Sequence, residues 1–125
     1  MNVKSKNEIS LQWLFKQSGS DRWNLNDTDL ASLLGIDEEL IEKLKSDVAL
    51  GKQIELNESA STRLPLLLSI NKAIYNISPN GQESLFFTNP NSGSFLEGRS
   101  IKEYLISSAS IDSMLGIIKW LKSHA

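Results

Sequence analysis

Cysteine is absent from the 125 residues, and the single histidine, His124, is the penultimate residue. Without cysteine there are no disulfides, thiol nucleophiles or thiolate metal sites. One histidine at a chain end leaves no catalytic triad and no three-histidine zinc site. Long apolar runs are missing too: Leu66-Leu67-Leu68 is as long as any, whereas a membrane-spanning helix needs about 20 such residues. The opening stretch MNVKSKNEIS has two lysines but no apolar segment of the kind a signal peptide carries. Internal repeats, low-complexity tracts and strand-like alternation are lacking as well. Gly93-Ser94-Phe95-Leu96-Glu97-Gly98 has neither the lysine nor the strand context of a phosphate-binding loop. Carboxylate pairs such as Glu38/Glu42 fall on a solvated helix face, where nothing raises a pKa toward neutrality. The expectation is a cytoplasmic binding protein rather than an enzyme, without cofactor, metal or membrane.

An apolar fraction of 40% is ordinary for a globular chain. A chain of this length buries roughly two-thirds of its unfolded surface, enough for one domain or one compact fold made of two helical parts. Charge is unevenly spread. Residues 1–26 carry net +2, residues 27–58 net −6 (three lysines against nine carboxylates) and residues 59–125 net +2.

Helix signals run the length of the chain. Ser5-Lys6-Asn7-Glu8 has capping-box spacing, followed by Leu11, Leu14, Phe15 and Ser18 on one face, with a stop at Gly19-Ser20. A polar loop leads into a helix over about Asp27–Leu34, ended by Gly35, which takes a left-handed conformation cheaply. Asp37 is positioned to cap the next helix, from Glu38 to about Ser46. Residues 48–61 are the least regular. The following helix places Pro65 in its first turn. It carries two apolar stripes, Leu64-Leu67-Leu68-Asn71-Ile74-Tyr75 and Leu66-Ile70-Ala73-Ile77, which implies a central helix buried all round. A turn at residues 78–81, a short helix over 83–88 and a loop over 89–98 come next. Ser100-Ile101-Lys102-Glu103 forms a second capping box. Ser110 caps a last helix whose core stripe reads Ile111, Met114, Leu115, Ile118 and Leu121. The fold class is therefore all-α with about seven helices. The expected division is a helix-turn-helix-like region over 1–58 packed on a C-terminal helical domain over 59–125.

Within residues 27–46, Ala31, Gly35, Ile41 and Leu44 stand at the spacing of a helix-turn-helix, with Leu30, Leu34 and Ile36 filling its core. Its second helix would put N-terminal residues against base edges. The candidate DNA contacts are therefore Glu38, Glu39, Glu42, Lys43 and Lys45. DNA carries one negative charge per ~1.7 Å, so three glutamates beside Asp37 make that contact weak at best and favour a scaffold role.

The second constellation reads Ala73, Phe86-Phe87, Asn89-Pro90-Asn91, then Phe95-Leu96-Glu97-Gly98-Arg99-Ser100-Ile101-Lys102-Glu103-Tyr104-Leu105, and Gly116 in an amphipathic last helix. Here Phe95 is expected to staple the loop to the core and Gly98 to permit a close approach before the Ser100 cap. Together with the upstream helix pair, this pattern resembles the Xre/MbcA/ParS-like antitoxins over about residues 25–122. The family usually has Trp-Leu where this chain has Phe86-Phe87, and often proline where it has Ile101. The resemblance implies an antitoxin that blocks an NAD-consuming RES-domain toxin with its C-terminal domain, commonly as a homodimer that represses its own promoter. Phe95, Gly98, Arg99, Lys119 and Trp120 are the candidate partner contacts. A stand-alone helix-turn-helix regulator and an orphan interaction domain are the alternatives.

Overall fold

The computed structural model describes residues 6–78, 81–90, 96, 98–108 and 110–123. Among these the chain is all helical, with no strand: α1 Lys6–Gln17, α2 Asp27–Leu34, α3 Glu38–Ala49, α4 Glu58–Ile77, α5 Glu83–Thr88, α6 Ile101–Ser107 and α7 Ile111–Lys122. None is long and apolar enough to cross a membrane. The Ser5 capping box and His124 lie outside the described residues.

Local chemistry sets most of the helix ends. Asn26 caps α2 by accepting from the Asp29 amide at 2.8 Å, and the Asp29 carboxylate accepts from the Asn26 amide in return. At the other end Gly35 has φ 66°, and the amides of Gly35 and Ile36 donate to the carbonyls of Ser32 and Ala31. That pairing is the Schellman arrangement, which satisfies carbonyls a helix end leaves orphaned. Asn57 caps α4 through the Ala60 amide, Ser100 and Glu103 form their reciprocal box on α6, and Ser110 caps α7. Asp37 departs from expectation. It occupies the N-cap position of α3 with extended backbone but makes no side-chain cap bond.

Pro65 does not lie in a first turn. Because Asn57 starts α4 early, the proline sits inside the helix, on an exposed position. Its ring removes one internal hydrogen bond, and an exposed face lets water replace that bond. The helix is also not buried all round. Leu64, Leu67, Ile70 and Ile74 are fully enclosed, whereas Ser69, Lys72 and Asn76 are exposed and Tyr75 is 55% exposed. The enclosed side draws on both stripes, because α4 packs mainly along α7, with α1, α2 and α5 also against it.

The core is a single buried cluster. It gathers Leu11 and Leu14 of α1, Leu30, Leu33 and Leu34 of α2, and Ile41 and Leu44 of α3 with the α4 stripe. Phe87, Leu96, Ile101, Leu105, Met114, Ile117 and Leu121 also belong to it. Residues on both sides of position 58 thus share one interior. The α1–α2 loop adds Trp23, which is 1% exposed. Its ring stacks on Phe87 of α5 at 3.9 Å and 8°, and meets the edge of Trp13 at 5.6 Å. Asn24, next to it, holds φ 54°, and its carbonyl accepts from Lys102 Nζ of α6 at 2.6 Å.

In α7 the buried face is Met114, Ile117, Ile118 and Leu121. Leu115, expected in the core stripe, is 49% exposed, and Ile117 takes its place. Both residues satisfy spacings of three or four to neighbours on the helix. Only the direction of α4 decides which side is covered.

Candidate functional site

Two surfaces answer to the candidate residues. The first is the outer face of α3. Glu38, Glu39, Glu42 and Lys43 are exposed and Lys45 is half-buried. Both lysines are engaged. Lys43 Nζ lies 3.0 Å from the Asp47 carboxylate one turn along, and Lys45 Nζ lies 2.5 Å from Asp27 at the start of α2. Lys45 also sits over the Phe15 ring at 5.8 Å. The Glu38 carboxylate accepts from the Thr28 hydroxyl at 2.6 Å. Cations are thus drawn into pairs, and Glu39 and Glu42 are left on the open face.

The turn between α2 and α3 is braced by α4. Ser59 Oγ donates toward the carbonyls of Leu34 and Gly35 at 3.0 and 3.1 Å, and Arg63 Nη1 donates to Ser59 Oγ at 2.7 Å. A Cβ on Gly35 would meet Ser59 Oγ at 2.4 Å. Glycine is therefore required here both by φ and by space.

The second surface surrounds Arg99. Phe95 lies outside the described residues. Its neighbour Leu96 is fully buried, as are Ile101 and Leu105, and Ser100 is 1% exposed. These residues pin the corner before α6 to the core. Gly98 has φ 81°, and a Cβ there would meet nothing within 4 Å. The expected close approach is not seen among the described residues. The glycine serves the left-handed backbone, in the open.

Arg99 is half-buried and held on three sides. Its Nε donates to the Leu96 carbonyl at 3.4 Å, its Nη1 donates to Ser107 Oγ at 3.1 Å, and its guanidinium carbon lies 5.2 Å from the Tyr104 ring centre. Glu103, on the same helix, accepts from the Ser100 amide. The sequence pointed to Arg99 but not to Tyr104 and Ser107, which hold it. An arginine placed before an N-cap has no periodicity to fix its direction.

On α7, Lys119 is exposed and Trp120 is half-buried against the core cluster. Trp120 and Leu115 flank the buried seam on opposite sides. The tryptophan, a candidate partner contact, therefore has a foot in the core.

Comparison with family models, with curated protein sequences and with solved structures finds no match. The chemistry of the two surfaces must be read from their residues. Among the described residues no group of three or more histidine, aspartate or glutamate side chains is placed to hold a metal ion. Open depressions occur among the described residues. One, between α1 and α3, is lined by Gln12, Phe15, Lys16 and Val48. Another runs along the α2–α3 turn from Thr28 to Glu38.

Proposed function

We propose that this chain is an antitoxin-like binding protein. In this reading it neutralises an NAD-consuming RES-type toxin through the surface formed by Gly98, Arg99 and the outer side of α7. It acts as a homodimer, without catalysis of its own. One observation carries the reading. The run that bears the family resemblance divides into an inward set (Leu96, Ser100, Ile101, Leu105) and an outward set (Gly98, Arg99, Glu103). A partner-binding corner needs such a division, in which anchors fix the backbone and a cation is left at the rim. Lys119 adds a second cation on α7.

The helix pair α2–α3 fits the alternative of a DNA-binding regulator in its Schellman turn and its packing. Its charge opposes that role, because Lys43 and Lys45 are committed to Asp47 and Asp27. A scaffold role for the pair, with at most weak autoregulatory contact to DNA, follows.

The test is co-expression with a RES-domain toxin, sought first as the product of the adjacent gene. Rescue of growth and co-purification of a stable complex are the expected results. If the two proteins neither co-purify nor alter each other's effect on growth, the reading fails. Trp120→Ala in the same assay separates core from contact, since unfolding of this variant would remove Trp120 from the partner surface.

A further inference from the structure

We propose that Arg99 is a preset receptor for an oxyanion, a carboxylate or a phosphate at the rim of the partner's site. The inference deepens the antitoxin reading and rests on it for the identity of the partner, though not for the receptor chemistry.

Three features of the corner support it. The first is charge. The partners of Arg99 are a carbonyl, a hydroxyl and an aromatic face, all neutral. Among the described residues no carboxylate pairs with it. The nearby Glu103 carboxylate is turned to the Ser100 amide, and the neighbouring cation Lys102 is bound to the Asn24 carbonyl. The lysines of α3, by contrast, have their charges met inside the chain.

The second is preorganisation. A solvated arginine samples many rotamers, and ordering one on binding costs about 0.5–1.5 kcal/mol per long side chain. Here Leu96 and Ser107 fix the Nε and Nη1 ends while Tyr104 supports the face. A guanidinium has five N–H donors, and these contacts use two of them. The remaining fork matches an oxyanion with two parallel bonds, the strong charge-assisted geometry that a lysine cannot reproduce.

The third is access. Gly98 is exposed, and a Cβ there would meet nothing within 4 Å beyond its two chain neighbours. The backbone next to Arg99 thus carries no side chain that an incoming group would have to displace.

The experiment records the arginine Nε–Hε resonances of the full chain by NMR while inorganic phosphate or acetate is added, with sodium chloride at matched ionic strength as reference. The expected result is a saturable shift of the Arg99 signal that exceeds those of Arg22 and Arg63. A larger response to phosphate assigns the natural group to a phosphate, and a larger response to acetate assigns it to a carboxylate. Arg99→Lys keeps the charge but loses the fork, so phosphate or acetate binding, followed on backbone amides of the corner, should weaken about tenfold, roughly 1.4 kcal/mol. Ser107→Ala, which frees one end of the guanidinium without touching the charge, should weaken it by a smaller factor. No shift of Arg99 beyond the chloride reference, or binding unchanged in Arg99→Lys, overturns the receptor. If the receptor responds but Arg99→Lys still binds the toxin normally, the anion site is not the contact, and the inference about the partner falls while the antitoxin reading stands. If wild-type chain fails to bind the toxin at all, the antitoxin reading falls, and the anion titration still decides the receptor.

Discussion

Gly35 and Gly98 share a left-handed backbone but differ in surroundings, and this difference yields a measurable contrast. At either position alanine meets the strain of a positive φ, about 1–2 kcal/mol. At Gly35 the new methyl also collides with Ser59 Oγ at 2.4 Å, and Ser59 is bonded to two carbonyls and to Arg63. Moving it disturbs contacts worth about 0.5–1.5 kcal/mol each. Gly35→Ala should therefore destabilise the fold clearly more than Gly98→Ala in urea titrations followed by circular dichroism. Equal losses at the two sites would mean that Ser59 yields freely and that the brace on the α2–α3 turn carries little energy. The need for glycine at position 35 was legible from its place after an apolar helix. The brace was not, since Ser59 lies 24 residues away and nothing local marks it.

Helices were the most legible elements, because caps and three-to-four spacing act over one or two turns. The bounds of α2, the capping box of α6 and the Ser110 cap of α7 follow from the residues alone. The buried side of a helix with apolar residues on several faces does not. In α7, Leu115 and Ile117 compete for the interior and α4 selects Ile117. In α4, Tyr75 loses to Ile74 for the same reason. Ile74 is fully enclosed at the centre of the fold, so Ile74→Ala should lower stability by about 2–5 kcal/mol, the usual cost of such a truncation. A loss under about 1 kcal/mol in chemical denaturation would show that neighbours collapse into the space. The α3 element leads to a prediction of a different kind. Glu39 and Glu42 face outward and both lysines are paired, so non-specific affinity for a random duplex should be weaker than the ~10⁻⁴–10⁻⁶ M of typical DNA binders. Fluorescence anisotropy across a salt series checks this, and micromolar binding with a steep salt slope would reverse the scaffold reading.

At the scale of the molecule, residues on either side of position 58 are joined by contacts that no helical period announces. Trp23 and Phe87 lie 64 positions apart in sequence, yet their rings stack at 3.9 Å. Lys102 reaches the Asn24 carbonyl, and α4 packs on α1 and α2 as well as on α5 and α7. The sequence suggested an N-terminal region over 1–58 and a C-terminal domain over 59–125. In the fold, each half completes the other's interior. Chains that share one core unfold as one unit. Tryptophan fluorescence, which reports chiefly on the Trp13–Trp23–Phe87 cluster, and far-ultraviolet circular dichroism, which reports on every helix, should therefore give coincident urea transitions. Trp23→Ala should lower the midpoint of the whole transition, by about 3–5 kcal/mol in stability, because it empties the largest buried side chain at the junction. A fragment spanning 59–125 keeps α5 to α7 and all of α4 but its first residue, and it exposes the sides of α4 that α1 and α2 cover and the Phe87 ring on which Trp23 stacks. It should show reduced helicity and no cooperative transition. If the fragment instead melts cooperatively with near-native helicity, the C-terminal helices form an independent domain, and the Trp23–Phe87 stack is a contact between two bodies rather than part of one core.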